Sequence, residues 1–212
     1  MTTQEYENVI QWVYASKNMQ ELEERYDQWA ATYEEDLDRD IGWYGPIRAV
    51  ESAVRYITHD AHILDAGAGT GLVGKLLAER GYTDLVAMDL SPGMLAEARK
   101  KNVYREFHQM TMGDTLDFST DTFDATISVG VLTVGHAPVH SLDELVRVTR
   151  PGGHIIYTLR PDLYKEGGFK EKHAQLETAG KWKLAEVGEP TQVLPKGEPD
   201  VFHQVWVFDV TA

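Results

Sequence analysis

In the run Ile63-Leu64-Asp65-Ala66-Gly67-Ala68-Gly69-Thr70-Gly71, an acid is followed by glycines at alternate positions. Lacking a Cβ, such glycines permit a sharp turn and a close approach of backbone to a ligand. Asp89 and Asp114 come next, each just past a short apolar run. Both can accept hydrogen bonds from hydroxyl or amino groups. His136, in a glycine-bearing loop, can take up a proton near neutral pH. Backbone amides, carboxylates and one imidazole describe a site for a polar organic ligand.

An alternation of strands and helices must position these residues. Residues 4 to 37 are expected to be helical, with apolar stripes at Tyr6, Val9, Ile10, Val13 and at Tyr26, Trp29, Ala30, Tyr33, Leu37, and a joint at Lys17-Asn18-Met19. A loop is expected from Asp38 to Gly45, then a helix opened by Pro46 with Ile47, Val50, Val54 and Ile57 on one face. The first strand spans about 62–66, and an amphipathic helix follows the glycines to Arg80. Residues 85–89 form the second strand. Ser91 and Pro92 start the next helix as N-cap and first helical residue. Strands follow at 107–112 and 123–129, with a helix from Pro138 to about Thr149.

Arg150-Pro151-Gly152-Gly153 signals a turn before a fifth strand at 154–159. A loop over 160–168, a helix over 169–179, a strand at 182–187, a loop over 188–200 and an alternating strand at 202–210 complete the chain. The expected fold class is α/β: a Rossmann-like, seven-stranded, mostly parallel sheet with one antiparallel strand and helices on both faces. Residues 1–212 read as a single domain, with 1–45 an N-terminal helical lid. In such sheets ligands bind beyond the carboxyl ends of the strands, where strand order reverses. Asp65, Gly67, Gly69, Gly71, Asp89, Asp114 and Gly130 all fall at those ends.

Composition narrows the function. The 212 residues carry a formal charge of −14, which argues against a nucleic-acid partner. Cysteine is absent, so disulfides and thiol catalysis are excluded. No apolar run reaches the length of a membrane span, and no secretory signal is expected at the start. His136 and His140 are one helical turn apart but lack companion ligands, so no metal is expected. Oligomeric state is not readable from these features.

Two cofactors compete for the glycine turn. Gly69-Thr70-Gly71-Leu72-Val73-Gly74 matches the dinucleotide pattern, with Asp89 at the ribose-binding distance. Against this, Gly67 and Ala68 intervene after the strand, and Asp65 would repel a pyrophosphate. S-adenosylmethionine, with an ammonium, a sulfonium and no phosphate, suits an acid there.

The Asp65-x-Gly67-x-Gly69-x-Gly71 run resembles the first motif of class I S-adenosylmethionine-dependent methyltransferases. Asp89-Leu90-Ser91-Pro92-Gly93-Met94-Leu95, Gly113-Asp114 and Arg150-Pro151-Gly152-Gly153 resemble the later motifs, over about residues 22 to 160. Together with Tyr26-Asp27-Gln28-Trp29-Ala30 and the segment 144–153, they are similar to the Williams–Beuren syndrome chromosome-region methyltransferase-like proteins.

The resemblance implies a cytoplasmic methyltransferase and a set of cofactor-binding residues. Gly67 and Gly69, with Ala68 and Gly71 in the same turn, would lie at the methionine part, with Asp65 toward its ammonium. Asp89 would accept both ribose hydroxyls, and Leu90 and Met94 would sandwich the adenine. Asp114, beside Gly113 and Thr115, would accept from the adenine amino group. Val129 and Gly130 would offer backbone, and Tyr26 and Tyr33 would cover the site. His136 is the candidate general base. The acceptor is expected to be small and partly apolar, in a pocket walled by the N-terminal helix, the loop after strand five and the 188–200 loop, and supplied with Trp29, Tyr33, Trp43 and Tyr44. A non-catalytic binding module and an NAD-dependent oxidoreductase are the alternatives.

Overall fold

Two helices, α1 (Thr3–Tyr14) and α2 (Met19–Trp29), open the chain in a computed structural model that describes residues 3–38, 42–133, 135–196 and 198–212. The joint between them falls where expected, because the Asn18 side chain caps α2 by accepting from the Glu21 amide at 2.9 Å. Tyr6 of the expected first stripe, as a side chain, and residues 39–41 of the expected loop lie outside the described set. The second stripe is not one helix. It breaks after Trp29 and resumes as the single turn α3 (Tyr33–Asp36). Buried Asp36 explains the break: its Oδ2 accepts from Trp29 Nε1 at 2.8 Å and from Thr32 Oγ1 at 2.9 Å.

Helix α4 (Gly45–Ala53) carries Pro46 in its first turn, as predicted. Its buried face is Ala49, Val50 and Ala53, however, and Ile47 and Val54 are exposed. The small residues let α4 lie close to its neighbours. From here strands and helices alternate: β1 (Ile63–Ala66), α5 (Leu72–Ala78), β2 (Leu85–Asp89), α6 (Pro92–Lys100), β3 (Glu106–Gln109), β4 (Phe123–Ser128), α7 (Ser141–Val148) and β5 (Thr149–Leu159). Ser91 caps α6 as expected, accepting from the Met94 amide at 3.0 Å. Helix α7 starts three residues after Pro138, which sits in the preceding turn.

The expected turn at Arg150–Gly153 is instead an irregularity within β5. Phe123 pairs with Thr149 and Ala125 with His154, so the intervening residues bulge out of register. The expected loop at 160–168 holds a short helix, α8 (Pro161–Glu166), with Pro161 in its first turn and Arg160 paired to Asp162. Helix α9 (Phe169–Thr178) and β6 (Trp182–Val187) follow, then a two-residue strand β7 (Thr191–Gln192) inside the expected 188–200 loop, and β8 (Phe202–Val210).

The sheet runs β3-β2-β1-β4-β5-β8-β6, with β7 also paired to β8. Strands β1 to β5 are parallel, and β8 runs antiparallel between β5 and β6. The mostly parallel sheet with one antiparallel strand therefore stands, with β7 as a short addition. Strand order reverses between β1 and β4. Beyond their carboxyl ends, a third apolar cluster seats the N-terminal helices: Ile10, Val13, Leu22, Trp29 and Leu37 pack with Val193 and Leu194.

Candidate functional site

The glycine turn is pinned across the sheet before any ligand arrives. The Gly67 and Ala68 amides donate to the Met88 carbonyl at 2.7 and 2.9 Å, and the Gly69 amide donates to Asp89 Oδ2 at 2.7 Å. Gly67 (φ +84°) could not carry a Cβ, which would stand 2.2 Å from Val131 Cγ2. At Gly69 (φ +53°) a Cβ would meet nothing within 4 Å, because that residue borders open space.

That space is a partly open cavity at the carboxyl ends of the parallel strands. Of the sequence-predicted residues, Gly67, Gly69, Asp89, Leu90, Met94, Val129, Gly130, Tyr26, Tyr33 and His136 line it together. Asp89 Oδ1 also accepts from the Ser91 amide at 2.9 Å, which fixes the carboxylate at the cavity wall. Burial raises the Asp89 pKa, and its backbone hydrogen bonds oppose that shift. No Lys or Arg lines the cavity among the described residues.

The other predicted residues lie outside the wall. Asp65 is buried in β1 and accepts from Tyr104 Oη at 2.6 Å through Oδ2, while Oδ1 has no hydrogen-bond partner among the described residues. Burial pushes its pKa up to about 7, and the Tyr104 bond partly offsets this. Ala68 packs into the core with Val73 and Leu77. Gly71 closes the turn as the N-cap of α5, beside Tyr104 and Ala98. Gly113 abuts Pro138, and Asp114 and Thr115 are exposed.

Sequence reasoning missed most of the apolar wall. Met19, Met88, Met110 and Met112 join Met94, so five of the six methionines surround this cavity. Their polarizable thioethers suit the face of a flat ring. For Met88, Met110 and Met112 the only signal was their position at or just past strand ends, Met19 opening α2 instead, and methionine is equally a filler of cores.

Helix α2 closes the cavity from above. Asp27 Oδ1 accepts from Ser91 Oγ at 2.5 Å and from the Gly93 amide at 2.8 Å, docking α2 on the start of α6. Tyr26 Oη meets His136 Nε2 at 2.7 Å, and the His136 ring also stands edge-on to Tyr14. The Tyr26 and Tyr33 phenols are held neutral, because burial raises both pKa values.

A second cavity shares Tyr26, Tyr33, Val129 and Gly130 with the first. Ile10, Val13, Tyr14, Trp29, Leu37, Trp43, Leu194 and His203 complete it. Residues of the N-terminal helices and Leu194 of the 188–200 segment wall it. The loop after β5 does not, and Tyr44 is exposed. Tyr14 and His203, the latter at the start of β8, were not among the sequence-predicted site residues. Burial pushes the His203 pKa down to about 4, so the ring is neutral.

Among the described residues no group of three or more His, Asp or Glu could hold a metal ion, and no helix is long and apolar enough to cross a membrane. Residues 64–157 match the methyltransferase domain family. The human methyltransferase-like protein 27 is 36% identical over 166 residues, covering 74% of this chain and 66% of its own length. A demethylmenaquinone methyltransferase from Beutenbergia cavernae is 42% identical over 97 residues, 44% of this chain and 38% of its own. The chain thus spans about two thirds and under two fifths of these two relatives. A TehB-like SAM-dependent methyltransferase from Corynebacterium glutamicum superimposes with a TM-score of 0.64 at 21% identity, over 88% of this chain and 98% of its own. These likenesses lend no support to a dinucleotide oxidoreductase or a non-catalytic module.

Proposed function

The chain belongs to the class I S-adenosylmethionine-dependent methyltransferases, and from that premise we propose that it methylates a small, partly apolar molecule seated in the second cavity. One observation carries the reading: the two cavities abut, with Tyr26, Tyr33, Val129 and Gly130 common to both walls. When bound, S-adenosylmethionine supplies a methyl group on a sulfonium, already activated for in-line displacement.

The residues present fit this cofactor. The open space at Gly69 suits its amino-acid part, the Asp89 carboxylate suits the ribose hydroxyls, and Leu90, Met94 and Met112 form an apolar slot for adenine. A wall whose one carboxylate is Asp89, without Lys or Arg, disfavours a phosphate-bearing ligand. Asp65, buried just behind the turn, positions it through Tyr104. The chain's contribution to the reaction is alignment and exclusion of water, with the 1–45 segment acting as the lid. Asp114 and Thr115, exposed here, would have to approach the adenine edge on binding. We place the protein in the cytoplasm with a small-molecule acceptor, in keeping with its acidic charge.

Calorimetric titration with S-adenosylmethionine, S-adenosylhomocysteine and NAD tests the reading. Binding of the first two, and at least tenfold weakening in Asp89→Ala, is expected from the loss of charge-assisted hydrogen bonds. Binding of NAD alone overturns it.

A further inference from the structure

We propose that His203 selects the methyl acceptor, and that the acceptor is an uncharged, ring-sized apolar molecule whose hydroxyl group hydrogen-bonds to the His203 imidazole. The inference rests on the second cavity being the acceptor pocket.

His203 is 7% exposed, lines that cavity, and has no hydrogen-bond partner at Nδ1 among the described residues. His203 brings a polar ring to a largely apolar wall, where it can meet a polar group on a ligand. The surroundings are apolar and flat. Trp43 stands edge-on to His203 with ring centroids 6.0 Å apart, and Ile10, Val13, Trp29 and Leu194 supply the remaining wall. Such a wall favours a planar, uncharged body, because a charge brought there is desolvated.

The polar end narrows the group further. The Arg160 guanidinium, paired to Asp162, and the Glu198 carboxylate both act on this end, so neither sign of charge is favoured there. A carboxylate only accepts hydrogen bonds, and an ammonium only donates. A hydroxyl does both, and so pairs with the imidazole in either tautomer. The topology explains why a residue so late in the chain reaches the site. Strand β8 is antiparallel to β5, so its first residues lie at the carboxyl edge of the parallel strands.

The test is calorimetry on protein saturated with S-adenosylhomocysteine, titrated with 2-naphthol, 2-methoxynaphthalene and 2-naphthoate. The expected result is at least tenfold tighter binding of 2-naphthol than of either analogue. His203→Phe should abolish that preference and His203→Gln should keep part of it. Leu194→Trp, which fills the cavity from another wall, should weaken all three ligands. Each variant's affinity for S-adenosylhomocysteine reports on its folding, and should a His203 variant fail to fold, the ligand series on the unaltered protein decides. Equal affinity for the three ligands, an unchanged preference in His203→Phe, or no 2-naphthol binding to protein that still binds S-adenosylhomocysteine would each refute the proposal and leave the cofactor reading intact. Failure to bind S-adenosylhomocysteine overturns both.

Discussion

Tyr26 Oη and His136 Nε2 lie 2.7 Å apart, tying helix α2 to the loop after β4 across the top of the first cavity. The imidazole is thereby engaged with the lid. If His136 works through Tyr26, Tyr26→Phe and His136→Ala should each weaken S-adenosylhomocysteine binding by about fivefold, the worth of one hydrogen bond, and spare turnover at saturation. A general base would behave otherwise, with kcat falling by roughly 100-fold or more in His136→Ala alone. Steady-state kinetics on an accepted substrate, separating kcat from KM, decides between the two.

Gly67 and Gly69 should respond differently to the same substitution. Gly67→Ala drives a Cβ into Val131 at a positive φ, so a clear loss of thermal stability is expected. Gly69→Ala meets no neighbour and costs about 1–2 kcal/mol for its left-handed backbone. Its methyl group enters the cavity, so cofactor affinity should fall more than stability does. Paired melting curves and titrations check the contrast.

Asp65 should make stability depend on pH in an unusual direction. Its folded pKa of about 7 lies above the ordinary value of 3.8, so the folded protein retains a proton that the unfolded chain releases. Stability is therefore greatest at the acid end of that window and falls as pH rises through it, by at most about 4 kcal/mol. Asp65→Asn should remove the slope and be the more stable form above about pH 7. Denaturant midpoints measured across the window would refute this if the two proteins kept parallel profiles.

The Asp27 latch should hold the lid down. Asp27→Ala removes the acceptor of Ser91 Oγ and the Gly93 amide. Faster proteolytic cleavage near the α1–α2 joint is expected, with suppression by S-adenosylhomocysteine. Equal cleavage rates in the two proteins would show that other contacts keep α2 in place.

The parallel core could be read from the chain because its boundaries carry distinct chemistry. β2, β6 and β8 begin and end where expected, since a charged residue, glycine or proline stands close to most of their ends. Helix α8 was hidden, because Pro161 and Gly167-Gly168 frame so short a turn that it reads as a loop. The break at residues 30–32 was hidden because it depends on a tertiary fact, the burial of Asp36 against Trp29. The cofactor motifs could be read one by one, but not which of them share a wall. Asp65 and Gly71 serve the turn from behind, while Gly67 and Gly69 face the cavity. His203 was out of reach for another reason. Its place at the rim follows from β8 inserting between β5 and β6, and alternation within a strand does not reveal which strand will lie beside it.

The ring of methionines around the first cavity has a cost as well as a use. A thioether is soft and adaptable, but oxygen-atom transfer converts it to a polar, chiral sulfoxide. Met19, Met88, Met94, Met110 and Met112 stand together on that wall. Mild peroxide should therefore abolish ligand binding before it unfolds the sheet, with sulfoxide reductases able to restore it and bound S-adenosylhomocysteine protecting those sulfurs. Peptide mass mapping with and without the ligand reads this directly.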